Sequence, residues 1–165
     1  RLLGQILRWL DSQAVLDATL VVVVGDHGEA FGQHGEWVHA SHLYEENIRV
    51  PLILINRGRF QGQQYDTIGG LVDVVPTIMD VLDLPLIAGW QGRSLFDDNR
   101  SPRTYFFAPY SRFLFGLREG SLKLIVDAAA NKSEIYDLKA DPAERINLAA
   151  AHPEFVRTGE RRIAA

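Results

Sequence analysis

The sequence predicts an α/β fold that passes into a small antiparallel β unit, and three observations carry that reading. An unbroken β-branched run, Thr19-Leu20-Val21-Val22-Val23-Val24, is what a strand buried on both faces looks like, as at the centre of a parallel sheet. Apolar residues at helical spacing flank this region, over Leu2 to Leu16 and again over Val72 to Leu84. Beyond Pro85 the texture changes to turn residues and then to short strand-like runs.

Taken in order, Leu2, Leu3, Ile6, Leu7, Trp9, Leu10 and Leu16 form the apolar stripe of an amphipathic helix, with Arg8, Asp11 and Gln13 between them. The valine strand ends at Gly25-Asp26-His27-Gly28, where two glycines bracket two polar residues and break the strand into a loop. No apolar period holds from Glu29 to Glu46. Val50-Pro51-Leu52-Ile53-Leu54-Ile55 reads as a second buried strand with Pro51 near its start, because a proline inside a central strand removes a ladder hydrogen bond. In the helix over Val72 to Leu84, Asp73 suits the cap and Pro76 fits only the first turn.

Gly89, Gly92, Asp97, Asp98, Asn99 and Pro102 mark a linker. Strands are expected over Tyr105–Phe107, Phe113–Arg118, Leu122–Val126 and Ile135–Leu138, with a hairpin turn at Glu119-Gly120 and a weak helix from Pro153 to Ala165. The domain boundary is expected between residues 98 and 99. One helix-strand-loop-strand-helix set is too few elements to cover both faces of a parallel sheet, so apolar faces are expected to await partners upstream of Arg1.

The chain has 165 residues, 47% of them hydrophobic, with a formal net charge of −4. That suffices for a sizeable core and about one domain. The acidic balance argues against nucleic acid, whose binders carry a basic face. No apolar run approaches the roughly 20 residues that cross a bilayer, and no signal-peptide layout opens the chain; any membrane anchor would lie upstream. The absence of cysteine excludes disulfides, thiolate metal sites and a Cys nucleophile within these residues.

Chemistry concentrates in the loop after the valine strand. Neighbouring side chains on a strand point to opposite faces, so Asp26 and His27 converge on one ion only where the strand has ended. The crevice beyond the carboxyl ends of parallel strands is also where ligands bind in open sheets. One hard oxygen and one nitrogen suit Ca, Mg, Mn or Zn, with further ligands required from elsewhere. The same two residues also suit an ordinary turn in which Asp26 accepts backbone N–H bonds. Four of the five histidines, His27, His34, His39 and His42, fall within this stretch. A protonated histidine there stabilises a developing anionic oxygen or protonates a leaving alkoxide.

Together these strings resemble the sulfatase family of the alkaline phosphatase superfamily. The resemblance rests on the valine strand with Gly25-Asp26-His27-Gly28-Glu29, then Gly32-Gln33-His34-Gly35, Leu43-Tyr44-Glu45-Glu46 and Ile48-Arg49-Val50-Pro51. Val72-Asp73-Val74-Val75-Pro76-Thr77 and Gln91-Gly92-Arg93-Ser94-Leu95 follow in order, and Glu134-Ile135-Tyr136-Asp137-Leu138 with Asp141-Pro142-Ala143-Glu144 complete the tail. It implies that residues 1–98 are the carboxy-terminal half of a catalytic α/β/α sandwich. Residues 99–165 would be a small antiparallel sheet with a terminal helix.

Carried onto this chain, the resemblance implies that Asp26 and His27 are ligands of one divalent cation, Ca first and Mg, Mn or Zn as alternatives. His39 stands where the family contacts the transferred sulfate or phosphate group, with Ala40 where many members have Gly. Glu29 and His34 would orient these groups. Tyr44, Glu45 and Arg49 would be structural, the arginine paired with an acid. The family's nucleophile, a formylglycine from a Cys/Ser-x-Pro-x-Arg motif, is not in this chain and is expected in the upstream half of the same polypeptide.

The implied activity is hydrolysis of sulfuric esters. The alternatives are a phosphodiester or phosphonate monoester hydrolase, a transferase of phosphoglycerol or phosphoethanolamine, or a binding module that keeps the fold without catalysis. Periplasmic, secreted or membrane-anchored locations follow from the resemblance alone.

Overall fold

A computed structural model describes every residue except Ala40, Ser111 and Ala165. The position that departs from the family's Gly and the last residue of the expected terminal helix thus lie outside the described residues. The chain divides into two compact units, Arg1–Asp26 with Val50–Asp66, and His27–Arg49 with Thr67–Ala165.

In the first unit, α1 spans Leu2–Ser12 and a single 3-10 turn covers Leu16–Ala18. Strands β1 (Val21–Val24) and β2 (Leu52–Ile55) pair antiparallel, with Val21 opposite Ile55 and Val24 opposite Leu52. This corrects the expectation of a parallel sheet. An apolar β-branched run reports affinity for burial, not strand direction, and an antiparallel pair needs no crossover helix. The strands are only partly covered, with Val24 and Ile53 exposed. Pro51 precedes β2, where its carbonyl accepts from Gly25 N–H at 3.2 Å. Asn56 closes the far end: its amide donates to the Asp17 and Thr19 carbonyls, and its Oδ1 accepts from Gly58 and Arg59 N–H.

The second unit is built on a meander of β3 (Arg103–Ala108), β4 (Leu114–Glu119), β5 (Leu122–Asp127) and β6 (Lys132–Asp137), in that spatial order and antiparallel throughout. The β4–β5 hairpin turns through Gly120 and Ser121. Gly120 has φ +61°, a left-handed conformation that side chains disfavour, so the expected Glu-Gly signal has a mechanism.

Alternation along the strands gives the sheet two apolar faces. Leu117, Leu124 and Ile135, all fully buried, pack under Phe155, Val156 and Ile163 of α4 (Pro153–Ile163). Gly159 lets α4 approach this closely, because a Cβ there would sit 2.4 Å from Leu124 Cδ2. The opposite face carries Ala108, Leu114, Ile125 and Tyr136, which cluster with Leu43, Tyr44 and Ile48. Tyr44 and Ile48 bracket the one-turn helix α2 (Glu45–Ile48).

Asp73 is the second correction. Helix α3 (Val74–Val81) begins beside it after a 3-10 turn over Leu71–Asp73, but its buried carboxylate makes no cap bond to α3. Asp73 instead accepts from Gly70 N–H at 2.9 Å, Arg93 N–H at 2.9 Å and the Arg100 guanidinium at 2.8 Å. Thr77 Oγ1 accepts from Leu95 N–H, and Ser94 Oγ donates to Asp80. The stretch expected as a linker is therefore tied to α3, and Ser94 is buried. The Asp73 carboxylate thereby satisfies two backbone N–H groups and a guanidinium through partly buried bonds. Arg49 is exposed and makes no ion pair among the described residues, contrary to the expected pairing with an acid.

Candidate active site

After β1 the chain turns at Gly25, and Asp26 and His27 follow as exposed neighbours, Asp26 ending one unit and His27 opening the other. The loop behind them is anchored on α2. Gly28 N–H donates to the Asn47 carbonyl at 2.8 Å, with the two backbones so close that a Cβ on residue 28 would lie 2.0 Å from the Glu46 oxygen. At the far end of the loop Asn47 Nδ2 donates to the Val38 carbonyl at 3.5 Å. One buried asparagine thus holds both ends of residues 28–38.

His27 Nδ1 lies 2.8 Å from the Gly28 carbonyl oxygen. A carbonyl only accepts, so Nδ1 carries the hydrogen, and in the neutral ring the lone pair then lies on Nε2, the tautomer a metal ligand needs. His39 stacks on His27 with ring centres 4.2 Å apart and planes at 24°. Its Nδ1 is 3.0 Å from Glu29 Oε2, and both side chains stay partly exposed. The structure therefore brings His27, Glu29 and His39 together.

His34 is elsewhere. Its Nδ1 meets Glu46 Oε1 at 2.7 Å, its Nε2 meets the Glu144 carbonyl at 3.2 Å, and its ring stacks on Tyr44 at 3.7 Å. Burial opposes a charge on this ring, but the Glu46 carboxylate and the Glu144 carbonyl outweigh it and raise its pKa. His42 behaves oppositely: burial lowers its pKa against the pull of Glu36, 3.8 Å away, and favours the neutral ring.

Under α2 lies a buried charge cluster that the sequence reading did not single out. Lys123 of β5 is fully buried, 2.7 Å from Glu144 and 3.1 Å from Glu45, with its Nζ 5.6 Å from the Phe106 ring centre. Glu144 also accepts from Glu45 N–H at 2.6 Å. Burial raises the Glu144 pKa even though Lys123 pulls it down. Beside this cluster Tyr44 and Tyr136 both donate to Glu134, at 2.9 and 2.8 Å. Burial first, and then Glu134, push the Tyr44 hydroxyl up to about 12. A lysine at an inward position of an apolar strand, Leu122-Lys123-Leu124, was the available signal, since lysine is almost never fully buried unless paired.

Among the described residues no three metal-binding side chains converge. Two donors of suitable type, the Asp26 carboxylate and the lone pair of His27, are present, and the held tautomer of His27 fits a cation.

The sulfatase family model matches residues 1–84. Arylsulfatase K of Gallus gallus is 28% identical over 95% of this chain and 32% of its own length. An N-acetylglucosamine-6-O-sulfatase of Bacteroides thetaiotaomicron is 29% identical over 88% of this chain and 29% of its own. A solved structure in complex with its substrate D-glucosamine-2-N,6-O-disulfate superimposes with a TM-score of 0.81 at 27% identity, covering 98% of this chain and 35% of that one. The chain thus spans about a third of the length of the curated relatives it matches. With the family model covering more than half of it, the chain belongs to the sulfatase family.

Proposed function

We propose that the protein containing this chain hydrolyses sulfuric esters, with Asp26 and His27 supplying two ligands to one divalent cation and His39 contacting the transferred group. The carrying observation is the His27–His39 pair, in which each ring meets an oxygen acceptor at Nδ1. A fixed tautomer costs nothing at the moment of reaction, which is what preorganised groups contribute. When bound, the cation supplies neutralisation of charge on the ester oxygens.

This chain's own residues do the rest of what can be derived. Glu29 holds the His39 ring by Nδ1, and in the imidazolium form its Nε2–H would donate to an oxygen of the transferred group or protonate the leaving alkoxide. The Gly28 carbonyl holds His27 in its ligand tautomer. The family resemblance puts calcium first, and an oxygen with an imidazole suits Mg, Mn and Zn as well. Further ligands and the nucleophile belong to the part of the protein that this chain does not span. Residues 1–98 would complete the catalytic domain and residues 99–165 the small subdomain. The names of two similar proteins favour sulfated glucosamines as the substrates to try after aryl sulfates.

The test uses the full-length protein, assayed on an aryl sulfate and analysed for bound metal. Asp26→Asn and His27→Ala should each lose most of the cation and of the hydrolysis. Full activity with full metal content in both variants would remove the metal reading, and no hydrolysis of any sulfuric ester by the wild type would remove the activity.

A further inference from the structure

His34 stands out among the groups that this mechanism leaves unused. Its two ring nitrogens face two oxygens of the acceptor kind, the Glu46 carboxylate at 2.7 Å and the Glu144 main-chain carbonyl at 3.2 Å. A neutral imidazole has one N–H and one lone pair, so it would turn a lone pair toward one of these oxygens. Only the imidazolium satisfies both. The position is also unusual in its backbone, with φ +51° and ψ +20°, a left-handed conformation that residues other than glycine adopt mainly where their surroundings hold them. Stacking on Tyr44 at 3.7 Å and the two nitrogen contacts are those surroundings.

We propose that His34 is a positioning residue that works as an imidazolium, tying the loop that carries His39 to α2 and to the turn at Glu144. The groups facing it come from every element packed on it. Glu46 comes from α2 and Tyr44 from the residue before that helix. Glu144 comes from the turn after β6 and has its own carboxylate committed to Lys123 and Glu45 N–H. His42, on the same loop, is kept neutral by burial and adds no competing cation. Glu144 itself has φ +52°, held by Asp141, whose carboxylate accepts from Arg145 and Ile146 N–H. The tie therefore runs from the middle of the catalytic loop to a turn held in place by its own hydrogen bonds. Loss of the ring proton turns one of the two contacts into a lone pair facing an oxygen, and the loop loses that anchor.

The activity arm of the test rests on the reading of His39 as the group that contacts the transferred sulfate; the spectroscopic arm does not. In full-length protein labelled with nitrogen-15 at histidine, both His34 ring nitrogens should still report as protonated at a pH above the ~6.5 of an unperturbed imidazole. Glu46→Gln should move this titration to lower pH. His34→Gln should lower kcat for aryl sulfate by roughly 10–100-fold with KM changed far less, as misplacement of a reacting group predicts. A neutral His34 at that pH, an unmoved titration in Glu46→Gln, or an unchanged kcat in an active His34→Gln protein would overturn the proposal. A wild type that hydrolyses no sulfuric ester would instead sink the sulfatase activity, and the two nitrogen-15 readouts would still decide whether His34 is the charged tie.

Discussion

Replacing Lys123 by methionine removes the cation that pairs with two carboxylates, Glu45 and Glu144. Lys123 is fully buried, and the Glu144 side chain is 1% exposed, 2.7 Å from the ammonium. At an effective dielectric of ~20, each contact of this length is worth roughly 6 kcal/mol of attraction. Several kcal/mol of desolvation per ion offset it, so the intact cluster contributes little net. The loss on deletion is larger, because Glu144 is left buried beside Glu45, and breaking a buried pair from one side costs about 3–5 kcal/mol.

Protonation of Glu144 relieves that loss. Its pKa is already raised by burial, so its ionised form is the destabilising one. The penalty of Lys123→Met should therefore be full at high pH and shrink as pH falls through the raised Glu144 value. Urea unfolding of the full-length protein, followed by circular dichroism, measures it, with the slope checked for a change of unfolded state. Lys123→Met with Glu144→Gln should return to within about 1–2 kcal/mol of wild type, since the carboxylate that remains, Glu45, is partly exposed. A single variant costing under about 1 kcal/mol, or a double variant as unstable as the sum of the two, would refute this account of the cluster.

Gly28→Ala should cut aryl sulfate hydrolysis by roughly 100-fold or more. Its Cβ meets the Glu46 carbonyl at 2.0 Å and must separate the loop from α2, which steady-state kinetics would detect. Tyr44→Phe should cost about 1.5–3 kcal/mol in urea unfolding, because its hydroxyl donates to a carboxylate, while Tyr136 still serves Glu134. For His34 the folded pKa is raised above the unfolded one, so its contribution is complete below ~6.5 and is lost as pH rises through the folded value. The stability gap between wild type and His34→Gln should accordingly narrow as pH rises from ~6.5 through the raised folded value.

Local chemistry was legible in the sequence wherever a short pattern fixes a short structure. The short strand-like runs around Leu117, Leu124 and Ile135 located the meander, and Gly25-Asp26-His27-Gly28 located the end of β1. Two kinds of information were not local. Strand direction is set by the path between strands, so the apolar runs at Val21–Val24 and Leu52–Ile55 concealed their antiparallel pairing. Partners far apart in the chain were equally hidden. Lys123 reaches Glu45 across 78 positions and His34 reaches Glu144 across 110, and no periodicity connects them. Asp73 looked like a cap because it precedes a helix, yet its donors arrive from Arg93 and Arg100. In the candidate site, the loop and its histidines could be named from spacing, whereas the division into a His27–His39 pair and a separate His34 tie came only from the fold.

The proposed action of His39, held by Glu29 and stacked on His27, on the sulfuric ester can be measured by hydrolysis of an aryl sulfate by full-length wild type and His39→Ala, with bound metal determined in both. The wild type should turn over, and His39→Ala should lose roughly 100-fold or more in kcat at unchanged metal content, the scale on which general acids contribute. Equal turnover by the two proteins, or none by the wild type with its metal in place, would contradict the proposed action.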